Sequence, residues 1–344
     1  MTIRNRVTRA AALAALSIPC LLAQGQRQLT VVRKVTLPEA LNDDVAFGGL
    51  KEMSCDSAGN ILAPVNRKYG SATRLVLRIE PDAKTTAQYP IDNVPEVKNG
   101  DIIEFTAEPN GDVHLLVRQV LKYSAADEPK SIGDTFVIRY DHGGHLIGRT
   151  RLAIHGSDFL PTGIAVLHNG GYLIVGRRYH AGFLQIVSQV FSESGTPGPK
   201  LDLNGAGTKP MLGKSVLATR VVRPAALKSN GSIYVLRGSS ADPVYQLSDS
   251  GQLLKTISLK GPHFEFCDPH VLEETLVARR LPIGEEGWDT AEYVTFNLRT
   301  GDPLETLTIR AAGAGLACYR RDALTFMGDD PASPNSWAIL SARP

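Results

Sequence analysis

Apolar and β-branched residues along this chain come in short runs, each set off by a turn rich in Asn, Asp, Ser or Gly. From residue 26 onward no stretch of eleven or more residues carries a 3.6-residue apolar period, so helices are expected to be nearly absent. The 32 Gly and 21 Pro residues point the same way, because both interrupt regular elements. One unit, a tight turn followed by a strand-like run, recurs as Asp56-Ser-Ala-Gly-Asn-Ile-Leu-Ala, Glu108-Pro-Asn-Gly-Asp-Val-His-Leu, Leu167-His-Asn-Gly-Gly-Tyr-Leu-Ile and Lys228-Ser-Asn-Gly-Ser-Ile-Tyr-Val. Its glycines, Gly59, Gly111, Gly170 and Gly231, are 52, 59 and 61 residues apart. Weaker copies at Glu273-Glu274-Thr-Leu-Val and Arg321-Asp322-Ala-Leu-Thr keep the strand and lose the glycine.

A second hairpin follows each first one, at Ile79-Glu-Pro-Asp-Ala-Lys, Tyr140-Asp-His-Gly-Gly-His, Phe191-Ser-Glu-Ser-Gly-Thr, Leu247-Ser-Asp-Ser-Gly-Gln and Leu298-Arg-Thr-Gly-Asp. Asn, Asp and Gly suit such turns because they tolerate the positive φ that tight hairpins require. Two hairpins make four strands, and six such units predict an all-β, six-bladed β-propeller with four-stranded antiparallel blades. The blades are expected at about 46–92, 101–153, 159–203, 219–260, 263–310 and 313–344. The last is one strand short, while Gln28-Leu-Thr-Val-Val-Arg-Lys-Val-Thr-Leu37 has no partner hairpin and matches Gln252–Leu259 in pattern. The N-terminal strand is therefore expected to complete blade six, which also covers an open sheet edge.

The run from Gly163 to Val175 resembles the first hairpin of an NHL-type repeat, and Phe191-Ser-Glu-Ser-Gly and Leu247-Ser-Asp-Ser-Gly resemble its second. The likeness is to six-bladed propellers of the NHL-repeat and TolB-like type and extends over most of the chain. It implies the fold only. Such propellers include ligand-binding scaffolds, lactonases and lyases, and function has to be read from the site.

Arg4, Arg6 and Arg9 precede an apolar run from Ala10 to Ala23 that ends at Ala23-Gln24-Gly25, the pattern of a signal peptide over residues 1–25. Cleavage is expected before Gln26, leaving 26–344 as one propeller domain in a secreted or periplasmic protein. Cys20 raises a lipoprotein alternative, for which Pro19 is an unfavourable neighbour. Losing three Arg turns 37 basic and 35 acidic residues into 34 and 35, so bulk charge supports neither nucleic-acid nor membrane-surface binding. No other run is long enough for a membrane span. Cys55, Cys267 and Cys318 would remain, an odd number, at the ends of inner strands in neighbouring blades one, five and six. Cys267–Cys318 or Cys55–Cys318 disulfides are conceivable, and buried free thiols are the first expectation.

Propeller sites are expected at the face where loops enter the inner strands and leave the second strands. Glu52 and Glu104 lie at matching positions, seven residues before Gly59 and Gly111, and could hold a divalent cation such as calcium or act as an acid–base pair. The alternative is that they face a hydrated channel or pair with arginine. His263, Glu265 and Cys267 fall on one face at period 2 and form a weaker metal candidate, without the paired motifs of zinc sites. Basic residues recur at the end of the second strand: Arg67-Lys68, Arg118, Arg177-Arg178, Arg237 and Arg279-Arg280, with Asp329-Asp330 breaking the series. They either solvate strand ends or form an anion-binding rim. In the second case Arg118, Arg178, Arg237 and Arg279 surround one mouth, with Tyr69, Tyr179, His180, Trp288 and Tyr293 alongside, and the ligand is an acidic small molecule or protein segment. No Gly-x-Ser-x-Gly elbow, His-Glu-x-x-His or phosphate loop is present. A scaffold that binds a small molecule or protein partner at one channel mouth thus ranks first, its cofactor either none or a divalent cation such as calcium, ahead of a metal-dependent hydrolase or lyase and a structural envelope component.

Overall fold

The computed structural model describes residues 25–38, 46–47, 53–66, 72–97, 99–123, 129–154, 159–180, 183–201, 203, 209–210, 224–281, 290–310, 314–320, 323–330 and 336–343. They form six sheets arranged as a β-propeller, and the only helical turn among them is a 3-10 turn at Pro95–Val97. Blade 1 pairs Ala46–Phe47 and Ser54–Cys55, which share the inner position, with Ile61–Asn66, Leu75–Ile79 and Thr85–Pro90. Blade 2 consists of Gly100–Ala107, Val113–Tyr123, Pro129–Tyr140 and Leu146–Leu152. Blade 3 runs through Phe159–Val166, Tyr172–His180, Phe183–Phe191 and Pro197–Leu201, with Lys209–Pro210 also on its third strand. Blade 4 contains Ala225–Ser229, Ser232–Leu236, Val244–Ser248 and Leu253–Ile257. Blade 5 contains Phe266–Leu272, Thr275–Arg280, Thr290–Asn297 and Pro303–Arg310.

Blade 6 takes three strands from the C-terminal part of the chain, Gly315–Arg320, Ala323–Asp329 and Trp337–Arg343, and its fourth from Thr30–Thr36. That strand runs antiparallel to Trp337–Arg343, with Lys34 opposite Leu340 and Thr36 opposite Ala338. The N-terminal segment does one thing more than its sequence pattern announces. Gly25–Gln28 adds a parallel fifth strand to blade 5, Gln26 opposite Thr306. The chain then crosses at Leu29, whose amide donates to the Thr308 carbonyl at 2.8 Å and whose side chain is buried. One segment thus ties two blades.

The turn glycines have the geometry their spacing demands: Gly59, Gly111, Gly170 and Gly231 all have positive φ. Where glycine is lost, another residue accepts the strain, Glu273 at φ 55° in blade 5 and Ala83 at φ 70° in the second turn of blade 1. In blades 3 and 5 the second-turn glycine is also a point of close approach. A Cβ on Gly195 would meet the Arg151 carbonyl oxygen at 2.0 Å, and one on Gly301 would meet that of Ser258 at 2.0 Å. Both contacts go to the outer strand region of the preceding blade, where Ala153 and Lys260 amides donate to the Gly195 and Gly301 carbonyls.

The core consists of one apolar cluster per blade interface. Leu62, Tyr89 and Phe136 lie between blades 1 and 2, and Leu37, Ile61, Met327 and Ile339 lie between blades 6 and 1. Burial on both sheet faces explains why central strands such as Tyr172–Val175 read as unbroken apolar runs. Aromatic pairs bridge successive blades, Tyr89 to Tyr140 at 5.6 Å and Tyr293 to Phe326 at 5.5 Å between ring centres. Arg78, almost fully buried, pairs with Asp56 at 3.1 Å and donates to the Gly111 carbonyl at 2.9 Å, locking blade 1 to the first turn of blade 2.

Candidate functional site at the hub of the propeller

The inner strands of all six blades converge on a cavity of about 190 Å³. Blade 1 contributes Ser54 and Cys55, blade 2 Glu104 and Thr106, blade 3 Ile164, blade 4 Leu227 and Lys228, blade 5 His270, and blade 6 Tyr319. These positions are brought into reach by irregularities repeated in the inner strands. Register shifts fall between Ile102 and Glu104, between Pro161 and Gly163, between Cys267 and His270, and between Leu316 and Cys318. A bulge bends a strand and re-aims the side chains after it. In blade 5 the bulge contains Asp268 at φ 46° followed by Pro269, a residue that cannot donate to the ladder.

His270 is held at the cavity wall by its Nε2, 3.0 Å from the Leu316 carbonyl oxygen of blade 6. A carbonyl only accepts, so Nε2 carries the proton and Nδ1 is left as an acceptor. Burial lowers the imidazole pKa to about 4, which keeps the ring neutral at physiological pH. Burial also raises the Tyr319 hydroxyl. Lys228 is anchored at the rim, its ammonium 2.8 Å from Asp249 and 2.9 Å from the Val166 carbonyl. Glu104 Oε1 accepts from the Phe105 amide at 3.0 Å, orienting a partly exposed carboxylate on the wall. The Cys55 thiol lies below its ordinary range because the Cys318 thiol hydrogen-bonds to it, with Arg320 adding to the effect against burial.

The other residues singled out in the sequence occupy different surroundings. Arg118, Arg237 and Arg279 do lie at one end of their second strands, opposite or just beyond the first residues of the inner strands. Each guanidinium is nearly enclosed and faces an aspartate: Asp101 at 3.9 Å, Asp242 at 3.6 Å and Asp268 at 4.0 Å. Burial raises the Asp268 carboxyl despite the opposing pull of Arg279. Tyr293 is fully buried against blade 6 rather than set beside a mouth. His263 and Glu265 are exposed and precede the blade 5 inner strand, which begins at Phe266, whereas Cys267 lies within it. Among the described residues no three His, Cys, Asp or Glu side chains come together as a metal ion would require. Glu52, Tyr69, Trp288 and the Arg67-Lys68 pair lie outside the described residues, as do the side chains of Arg178, Tyr179 and His180.

The cavity sits along the later part of the inner strands, nearer the first-hairpin turns, whereas the arginines align with the strand starts. Cys55, His270, Tyr319 and Lys228 were not marked as a group by any motif. The one local sign was Asp268-Pro269 inside a strand-like run, a combination that signals a bulge.

No protein-family model and no curated protein matches the chain. Solved structures do match in fold. A calcium-binding protein, regucalcin, from Agrobacterium tumefaciens superposes with a TM-score of 0.50 at 9% identity, covering 93% of this chain and 96% of its own. A protein of unknown function from Bacteroides caccae gives a TM-score of 0.48 at 12% identity over 77% of this chain and 82% of its own. At these identities the likeness concerns architecture alone. Among the described residues no helix is long and apolar enough to cross a membrane.

Proposed function

We propose that the chain is an exported binding propeller that holds a small molecule in the hub cavity. The observation that carries this reading is the cavity itself, lined by residues of all six inner strands that offer both apolar and hydrogen-bonding groups. Such a mixed, concave, largely preformed wall is what small-molecule sites share. At about 190 Å³ the cavity lies below the roughly 300–1,000 Å³ of drug-sized sites and suits a compact metabolite. His270 Nδ1 offers an acceptor, Glu104 a carboxylate, Ser54 and Thr106 hydroxyls, and Met53, Ile164, Leu227 and Val271 the apolar surface. Export is supported by the Arg4, Arg6 and Arg9 cluster and the apolar run that follows.

The ion-paired state of Arg118, Arg237 and Arg279 favours the hub over a rim of free arginines as the place of binding. Thermal-shift measurements with small carboxylates, amines and neutral polyols, on wild type and on Glu104→Gln and His270→Gln variants, test both. Stabilisation by one class that is lost in the two variants is expected. Stabilisation by carboxylates alone that persists in both variants would return the site to the arginine end, and no response to any class would refute the reading.

A further inference from the structure

Two cysteines meet where the ring closes. Cys55 ends the inner strand of blade 1 and Cys318 lies in the inner strand of blade 6, the first and last blades of the ring. Both pack in the apolar cluster that seals this seam. The Cys318 thiol, 1% exposed, donates to the Gly59 carbonyl oxygen at 3.9 Å in the first turn of blade 1, four residues past Cys55, and is the neighbour that acts most strongly on the Cys55 thiol. Cys55 is half-buried and forms part of the cavity wall. The two residues are thus neighbours with unequal access, Cys55 half-buried at the hub wall and Cys318 sealed in the seam.

Their chemistry differs in the same sense. The bond from Cys318 and the nearby Arg320 favour a thiolate on Cys55, while the Cys318 thiol is held well above its ordinary range, first by its bond to Cys55 and then by burial. The thiolate is the nucleophile in disulfide exchange, and access decides which sulfur reacts first. We propose that Cys55 and Cys318 form a reactive dithiol site that small-molecule disulfides entering the hub convert into a covalent bond between blades 1 and 6. The proposal goes beyond the binding reading and needs only that the hub admit a small disulfide.

The exchange balances in two steps. The Cys55 thiolate attacks one sulfur of the small disulfide; a Cys55–S bond forms, the disulfide bond breaks, and one small thiolate leaves and takes up a proton. With Cys55 no longer able to carry charge, the main influence raising the Cys318 pKa is gone. Cys318 releases its proton to solvent, attacks the Cys55 sulfur and expels the second small thiolate, which is protonated in turn. Two protein thiols are oxidised and one small disulfide is reduced to two thiols, so no further oxidant is required.

The test uses the full chain, reduced, freed of reductant and then exposed to bis(2-hydroxyethyl) disulfide, a disulfide small enough for the hub, with alkylation and peptide mapping under non-reducing conditions. The expected product in wild type is a peptide pair linked through Cys55 and Cys318. In Cys318→Ser the mixed disulfide with 2-mercaptoethanol should accumulate on Cys55; in Cys55→Ser residue 318 should stay unmodified; Cys267→Ser should behave as wild type. Wild-type protein in which Cys55 and Cys318 are both recovered as alkylated free thiols would overturn the proposal, whatever the folding of the variants. So would 2-mercaptoethanol on Cys318 in preference to Cys55.

Discussion

The closing strand should depend on one buried carboxylate. Asp330, with a side chain 2% exposed, sits just past the second strand of blade 6 and accepts from Lys34 Nζ at 2.8 Å and Thr36 Oγ1 at 2.8 Å. Both donors come from the N-terminal strand. Removing one partner of a fully buried ion pair costs about 3–5 kcal/mol, because the remaining charge is stranded. Lys34 is itself 37% exposed, so solvent on its side reduces this, and Lys34→Met is expected to cost about 2–3 kcal/mol. Thr36→Val removes a bond to a charged acceptor and should cost about 1–2 kcal/mol. Because the two donors share one acceptor, their effects should not add. For a chain of this length each kcal/mol corresponds to roughly 1.4 °C in Tm, so Lys34→Met should melt about 3–4 °C lower. Urea unfolding of wild type, Lys34→Met, Asp330→Asn and the Lys34→Met, Asp330→Asn double variant completes the test. Neutralising Asp330 should recover part of the loss in the Lys34→Met background. A Lys34→Met variant within about 0.5 kcal/mol of wild type would refute the idea that this pair clasps the ring.

Two further outcomes are expected. Gly301→Ala should destabilise by well over 2 kcal/mol, since its Cβ would lie 2.0 Å from the Ser258 carbonyl oxygen, whereas Gly231→Ala, with nothing within 4 Å, should show only the roughly 1 kcal/mol of its positive φ; equal losses in chemical denaturation would contradict the close approach. His270 has a folded pKa of about 4 against an ordinary 6.5, so the unfolded state binds more protons between those values. Its contribution is complete above pH 6.5 and falls as the pH drops toward 4, by about 2 kcal/mol at pH 5. His270→Gln, which keeps a donor for the Leu316 carbonyl, should flatten the stability profile between pH 7 and 5, and an unchanged slope would show that another group carries it.

The blades are legible in the chain because each hairpin needs a positive-φ residue, and glycine supplies it at nearly constant spacing. The closing strand is legible for a related reason: Gln28–Leu37 is a strand with no hairpin of its own. The parallel addition of Gly25–Gln28 to blade 5 leaves no such trace, since it uses no turn. In the sequence Asp330 interrupts the arginine series, and its role becomes visible only with Lys34, 296 residues away, beside it. The arginines are legible by their periodicity, but their partners Asp101, Asp242 and Asp268 stand 17, 5 and 11 residues from them along the chain. No repeat registers that pairing. Of the hub cavity only Glu104 is legible, because Ser54, Glu104, His270 and Tyr319 share position in the ring and no residue type.

The most direct test of a ligand-binding hub is a crystal structure of the full chain with the compound that stabilises it most in the thermal-shift series. Density enclosed by Cys55, Glu104, His270 and Tyr319, with a hydrogen bond to His270 Nδ1, is the predicted result. Density seated instead at the strand starts beside Arg118, Arg237 and Arg279, with the hub unaltered, would contradict it.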